Sequence, residues 1–446
     1  MTTEQFLNKD TVINDILSSE DDAHEPVSDW DTFGFDTRQV HAGELPEDTF
    51  GARIPPVYLS AGYRVKSFED ARLRFGGDVD SHLYARNQNP TTDVVERKLA
   101  SLEGATVAST VASGHAAIVA AVLALAGPGD RILVHAQVYS GTRTLFDRTL
   151  RRLGITADYM WDDAHSEWEQ LFTANTKAVF VESIPNPRND VLDIAALAAL
   201  AHRNGVPLIV DNTVATPYLL RPIEYGADII VHSSTKFLSG HGAGLSGVIL
   251  DAGRFDWSDQ PDRFPILAEA MSKSSSPAFN TIVRHTLIND LGPALSALNG
   301  FLLRQGIETL SVRMERHLDN AARIAHWLAQ HRAVRSVDYA GLPTHSAYER
   351  AQRYVGGRAG SVFSFSLAGG QAAAQRAFDG LRVFSRMTHI GDVRSMVLHP
   401  ATTTHAAFTP QLRQRLQIDD AMLRLSVGIE TVDDLLTDLE GALARV

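Results

Sequence analysis

Lys236 follows closely on an apolar run, Asp228 to His232, that reads as a buried strand. Hydroxyls flank it at Ser233 and Thr235, and Gly240-His-Gly-Ala-Gly244 lets the backbone beyond come close to a ligand. A second apolar run, Pro207 to Asp211, ends in an acid 25 positions earlier, followed by Asn212 and Thr213. A lysine desolvated beside a cationic group sheds its proton more readily and becomes a nucleophile. An amine, a carboxylate and a hydroxyl cluster at strand ends are what pyridoxal phosphate requires. The Lys236 amine would form the Schiff base, Asp211 would hold the ring nitrogen protonated, and Ser233 and Thr235 would take the phosphate.

Two further segments suit the same ligand. Ser113-Gly114-His115 precedes a long apolar stretch. Ser113 reads as a helix N-cap, and the amides of Gly114 and His115 at that helix start suit a phosphate. Tyr84 and Arg86 stand just before a turn at Asn89-Pro90, and a planar, permanently charged guanidinium suits a dianion. Asp211-Asn212-Thr213 also reads as an ordinary strand end with a cap. The 17 histidines, His232, His241, His399 and His405 among them, form no close set with Asp or Glu at a familiar ligand spacing, so no metal site is expected.

These residues need a frame, and the chain supplies an alternating one. Thr106–Thr110, Arg131–His135, 177–182, 207–211, 228–232 and 244–251 read as strands. Ser113–Ala126 reads as a buried helix, Ser140–Leu153 as an amphipathic one, and Asp193–His202 as another. The alternation predicts an α/β fold with a mostly parallel sheet, whose ligands lie beyond the carboxyl ends of the strands. Past Asp251 the texture changes. Gly253–Phe264 reads as a surface loop, Asn299–His331 as long helix, 360–366 as strand and Asp433–Arg445 as helix. The expected division is an acidic arm and subunit-contact segment over 1–61, a cofactor-binding large domain over 62–304 and a smaller α+β domain over 305–446.

Bulk properties narrow the function. The 446 residues are 44% hydrophobic and 21% charged, as in a globular enzyme of two or three domains. The longest apolar run, Ala116–Ala126, is 11 residues, too short for a bilayer. No basic segment followed by an apolar core opens the chain, so no secretory leader is expected. The absence of cysteine removes thiolate nucleophiles and disulfides, and fits the cytoplasm. Of the net charge of −12, residues 1–36 carry −9, leaving −3 on the other 410. No basic surface is available for nucleic acid, and the acidic start reads as a solvated arm.

Together these segments resemble the cysteine/methionine-metabolism family of pyridoxal-phosphate enzymes, with the aspartate-aminotransferase (fold type I) architecture, from about Thr37 to the C-terminus. In that resemblance Lys236 and Asp211 match the Schiff-base lysine and the ring-nitrogen partner. Ser113-Gly114-His115 is similar to the phosphate-binding turn. Tyr139, in Tyr139-Ser-Gly-Thr142, is similar to the tyrosine that stacks on the ring and assists proton transfer. Asn186 matches an asparagine that reaches the ring's phenolic oxygen. Arg424, in Leu423–Glu430, matches the arginine that grips the substrate carboxylate, and Ser395 matches a residue that the family places beside that carboxylate. Tyr84 and Arg86 match a segment that serves the neighbouring subunit's phosphate site, which implies a homotetramer of two dimers.

Ile390–Ser395 with His399–His405, the Gly253–Pro265 insertion and Gln305–His317 resemble the O-acetylhomoserine sulfhydrylase branch. That branch implies γ-replacement: O-acetyl-L-homoserine and sulfide give L-homocysteine and acetate, on the route to methionine. A cystathionine γ-synthase, a methionine or cystathionine γ-lyase, and use of O-succinylhomoserine or O-acetylserine remain alternatives. Ala85, His115 and Arg143 depart from the residues usual at their positions, and His115 and Arg143 bear on which substrate is taken.

Overall fold

The computed structural model describes residues 30–44, 50–76, 81–273 and 277–446, without the side chains of 163–166. Most of the acidic arm therefore lies outside the described residues. Seven strands make the first sheet: β1 (Val107–Val111), β2 (Arg131–His135), β3 (Thr156–Met160), β4 (Thr176–Glu182), β5 (Leu208–Asp211), β6 (Ile229–His232) and β7 (Gly247–Asp251). Their order is β1-β7-β6-β5-β4-β2-β3. β2 to β6 pair in parallel, while β7 runs antiparallel to both β1 and β6. The expected parallel core is present.

β4 to β7 are almost wholly buried, which is why each shows as an unbroken apolar run. β3, at the sheet edge, was not among the expected strands. Its Thr156-Ala-Asp-Tyr-Met160 is mostly half-buried, and an edge strand with polar residues lacks the signal of a core strand.

The helices used below are α1 (Phe35–His41), α2 (Pro90–Glu103), α3 (Gly114–Leu125), α4 (Ile194–Arg203), α5 (Ala297–Ile307), α6 (Leu310–Gln330), α7 (Gly370–Gly380) and α8 (Val432–Leu443). α3 packs on β1, β6 and β7, and α4 on β5. α3 is apolar nearly all round, as a helix with little solvent contact must be. The helix expected over Ser140–Leu153 begins at Ser140 but widens into a π-turn over Leu145–Leu150. The long helical stretch after Asn299 is two helices. The break at Glu308–Thr309 is closed from α1, where Gln39 exchanges hydrogen bonds with Ser311: Nε2 donates to Oγ at 2.8 Å and Oε1 accepts the Ser311 amide at 3.0 Å.

A second sheet, β8 (Val334–Asp338), β9 (Val362–Leu367), β10 (Ser385–Arg386), β11 (Met396–Leu398) and β12 (Met422–Ser426), has the order β10-β11-β12-β9-β8. α7 and α8 pack together, and α7 lies on β9 and β12. One apolar cluster runs from the first sheet through α6 into the second. The 253–264 segment is less of a surface loop than expected. Trp257 and Phe264 are buried, their rings 5.2 Å apart, and Phe255 lies 4.6 Å from Trp257. Aromatic spacing inside a polar stretch carries no period, so the sequence pattern hid this small core. No helix among the described residues is long and apolar enough to cross a membrane.

α6 also pins the chain just beyond Lys236. The buried Arg313 donates from Nη1 to the Phe237 carbonyl at 2.8 Å, and from Nη2 to the Gly306 carbonyl at 2.6 Å and the Leu238 carbonyl at 3.4 Å. Replacing Arg313 by Met leaves these carbonyls without their donor. Arg313→Met should lower unfolding stability by about 2–4 kcal/mol, read as an earlier denaturant midpoint.

Candidate active site

The parallel register sets two acids side by side at the carboxyl ends of β4 and β5, because Glu182 pairs with Asp211. Asp211 Oδ1 accepts hydrogen bonds from the Thr213 amide at 3.0 Å and the Thr213 hydroxyl at 2.5 Å. The same hydroxyl oxygen accepts the Ser233 amide at 2.8 Å. The loop after β6 thereby fixes the Asp211 carboxylate. Glu182 Oε1 accepts the Tyr139 amide at 2.6 Å and so holds the start of the Tyr139 turn. Burial raises the pKa of both acids, and the charge of Asp211 pushes Glu182 higher still, well above the carboxylate range. The Thr213 donors oppose the rise at Asp211, and the Tyr139 and Asn186 amides oppose it at Glu182.

These groups border a cavity of about 230 Å³. Ser113, Gly114, His115, Tyr139, Asn186 and Asp211 line it. So do Thr213, Ser233, Thr235, Lys236 and Arg424. Residues from four strand ends, the start of α3 and the second sheet thus meet at one place. A larger cavity, about 770 Å³, opens beside His135 and Arg350. Its charges are paired with each other, His135 with Asp162 at 2.9 Å and Arg350 with Asp190 at 2.8 Å, and no lysine lines it. The smaller cavity is the one with reactive groups.

Within it, Lys236 is pushed down to about 8, first by burial and then by the Arg424 guanidinium. Arg424, on β12, is 2% exposed. Its Nη1 donates to Asn186 Oδ1 at 3.3 Å and its Nη2 to the His389 carbonyl at 3.0 Å, while its buried Nε has no acceptor among the described residues. An unpaired buried N–H on a cation is a waiting site for an anion.

At the other end, Ser113 caps α3 through the Ala116 amide at 3.2 Å. Gly114 approaches Ser233 so closely that a Cβ on it would lie 2.5 Å from the Ser233 Cβ. Only glycine lets the helix start abut the Ser233 loop, and the junction gathers amides and a hydroxyl suited to a phosphate. Thr235 lines the cavity, but its hydroxyl is tied to Ser246, donating to the carbonyl at 3.0 Å and accepting the amide at 2.9 Å. The His115 ring lies 6.3 Å from that of Tyr139, and burial lowers its pKa.

Three residues picked from the sequence are not in this cavity. Tyr84 is half exposed, with the Arg86 guanidinium 5.5 Å above its ring. Ser395 donates to Glu430 Oε2 at 2.9 Å and accepts the Gly428 amide at 2.8 Å. Two residues the sequence reading did not single out belong to the site. Glu182 was read only as part of a strand, and only the register with Asp211 reveals it. His389 lies 3.0 Å from the Lys236 amine, brought there across 153 residues by the second sheet.

The donor set fits pyridoxal phosphate. A depressed lysine, an uncompensated buried acid pair able to take a ring cation, and a helix start for the phosphate all face one cavity. Fold and site define a pyridoxal-phosphate enzyme of fold type I. The family described as Cys/Met metabolism PLP-dependent enzyme matches residues 36–444. The O-acetyl-L-homoserine sulfhydrylase of Corynebacterium glutamicum is 42% identical over 431 residues, 94% of this chain and 99% of that protein. The homocysteine/cysteine synthase of Kluyveromyces lactis is 38% identical over 92% of this chain and 98% of its own length. A Campylobacter jejuni protein described as an O-acetylhomoserine (thiol)-lyase, solved with a pyridoxyl-lysine monophosphate, superposes with a TM-score of 0.89. It is 34% identical and is covered in full by 92% of this chain. The chain belongs to the Cys/Met metabolism family of pyridoxal-phosphate-dependent enzymes.

The lowered pKa has a direct readout. In protein stripped of cofactor, carbamylation of Lys236 by cyanate should rise with pH and reach half its plateau rate near 8, because the amine reacts only when neutral. A midpoint above 10 would mean that the amine is solvated as an ordinary lysine.

Proposed function

We propose that this protein joins sulfide to the γ-carbon of O-acetyl-L-homoserine, releasing acetate and forming L-homocysteine. The observation that carries the reading is the placement of one depressed lysine between the acid pair and a buried arginine with a free N–H. The names of the relatives supply the substrate.

Bound pyridoxal phosphate supplies an aldehyde for the lysine amine and a ring that accepts negative charge from the substrate's carbons. The residues do the rest. Asp211 would hold the proton on the ring nitrogen. Ser113, the Gly114 and His115 amides and Ser233 would hold the phosphate, and Asn186 and Tyr139 would orient the ring. Arg424 takes the substrate α-carboxylate on its free Nε, which fixes the amino acid's rotation about the α-carbon. The Lys236 amine, when free, would take the α-proton and then serve the β-carbon, with Tyr139 assisting. The γ-carbon–oxygen bond breaks with its electron pair leaving on acetate, and hydrosulfide brings the pair that forms the carbon–sulfur bond.

The same reading makes the enzyme a homotetramer of two dimers in which Tyr84 and Arg86 serve the neighbour's phosphate. The position of both residues outside their own cavity supports it, as do large apolar side chains left exposed along one segment, Phe50, Leu59, Phe68 and Phe75. It also divides the chain at 61–62 and 304–305.

Purified protein should turn over O-acetyl-L-homoserine with sulfide faster than with cysteine. Release of 2-oxobutanoate without any thiol would mark a γ-lyase instead. Lys236→Ala should lose both turnover and the visible band of the lysine-bound cofactor. Arg424→Lys should raise KM for the amino acid roughly tenfold or more, since a lysine cannot offer the same fork.

A further inference from the structure

We propose that His389 is a positioning residue for Lys236: its Nδ1 receives the lysine amine whenever that amine is not bonded to the cofactor. The inference rests on the function proposed above only in needing Lys236 to leave and return.

The contact is direct. Lys236 Nζ lies 3.0 Å from His389 Nδ1. A buried imidazole this close to an ammonium and to Arg424 stays neutral, and its pKa is lowered to about 4, chiefly by burial and then by the charge of Lys236. An ammonium can only donate, so Nδ1 accepts and the single ring proton sits on Nε2. That Nε2 is buried and has no partner among the described residues. The ring is therefore held for the sake of its other nitrogen and not by hydrogen bonds of its own.

The backbone around it is fixed to the substrate arginine's strand. Arg424 Nη2 donates to the His389 carbonyl at 3.0 Å, and the Ser426 hydroxyl accepts the Gly391 amide at 3.0 Å. Gly391, at φ +74°, presses on the lysine loop, where a Cβ would fall 2.6 Å from the Phe237 amide nitrogen. One rigid segment thus ties the carboxylate site to the resting place of the amine. The charged groups that act on His389 are Lys236, Arg424 and Asp392, the last opposing the other two. Those acting on Lys236 reduce to Arg424.

A lysine that swings between bonded and free states needs a defined place to wait, or each return is a search through rotamers. His389 supplies that place through one acceptor, so a different acceptor at the same reach should do the same work. Asn Oδ1 stands close to where Nδ1 stands, whereas Gln carries its oxygen one bond farther out.

The test uses holoenzyme loaded with glycine, an amino acid with no γ-leaving group, and follows the visible band after rapid dilution as Lys236 recaptures the cofactor. Recapture should slow by about tenfold or more in His389→Leu and by less than about threefold in His389→Asn. His389→Gln should behave as the Leu variant, and stands in for it if His389→Leu does not hold cofactor. Recapture as fast as wild type in the Leu or Gln variant, or equal slowing in all variants, would overturn the proposal. Wild type that exchanges glycine yet does not turn over O-acetyl-L-homoserine would sink the function proposed above and leave this comparison intact.

Discussion

An amine can act as nucleophile and base near neutral pH only when something weakens its hold on a proton, and here that is burial beside a fixed cation. Lys236 and Arg424 share one small cavity, and neither can be solvated away from the other. Two acids, Glu182 and Asp211, line the same cavity. Each charge in the site is thus uncomfortable alone, and the arrangement is ready for a ligand that carries both signs.

Strand register makes this possible without local contrivance. Parallel pairing brings Glu182 level with Asp211, and the loop after the next strand returns Ser233 to Thr213 and so to Asp211. The start of α3 closes on the same loop through Gly114. These are backbone and short-side-chain contacts, which leave little freedom to misplace the acid. The acid pair and the Gly114–Ser233 junction are therefore built by the first sheet and α3.

The Arg424 end of the cavity is built differently. Arg424 and His389 arrive from the second sheet, and Asn186 from the turn after β4 meets Arg424 at the seam. Arg313 holds the lysine loop from α6, so the piece between the sheets carries the geometry from one to the other.

Most strands that could be read from the chain show largely apolar runs, and 360–366 was legible in the second sheet as well; the half-buried edge strand β3 lacks that signal, and Arg424 interrupts β12 although that strand is buried throughout. Lys236, Asp211 and Ser113 were visible because each follows or precedes such a run, where local pattern fixes position. Glu182 looked like the last residue of a strand, His389 like any histidine, and the free Nε of Arg424 like nothing at all. The amino-acid order determined the kind of sheet, which ends of it would carry chemistry, and the amine and acid that would meet there. Pairing across strands and across the two sheets alone decided how those groups are charged and what stands beside the amine, because a proton's affinity is set by neighbours in space, and those lie up to 238 residues apart along the chain.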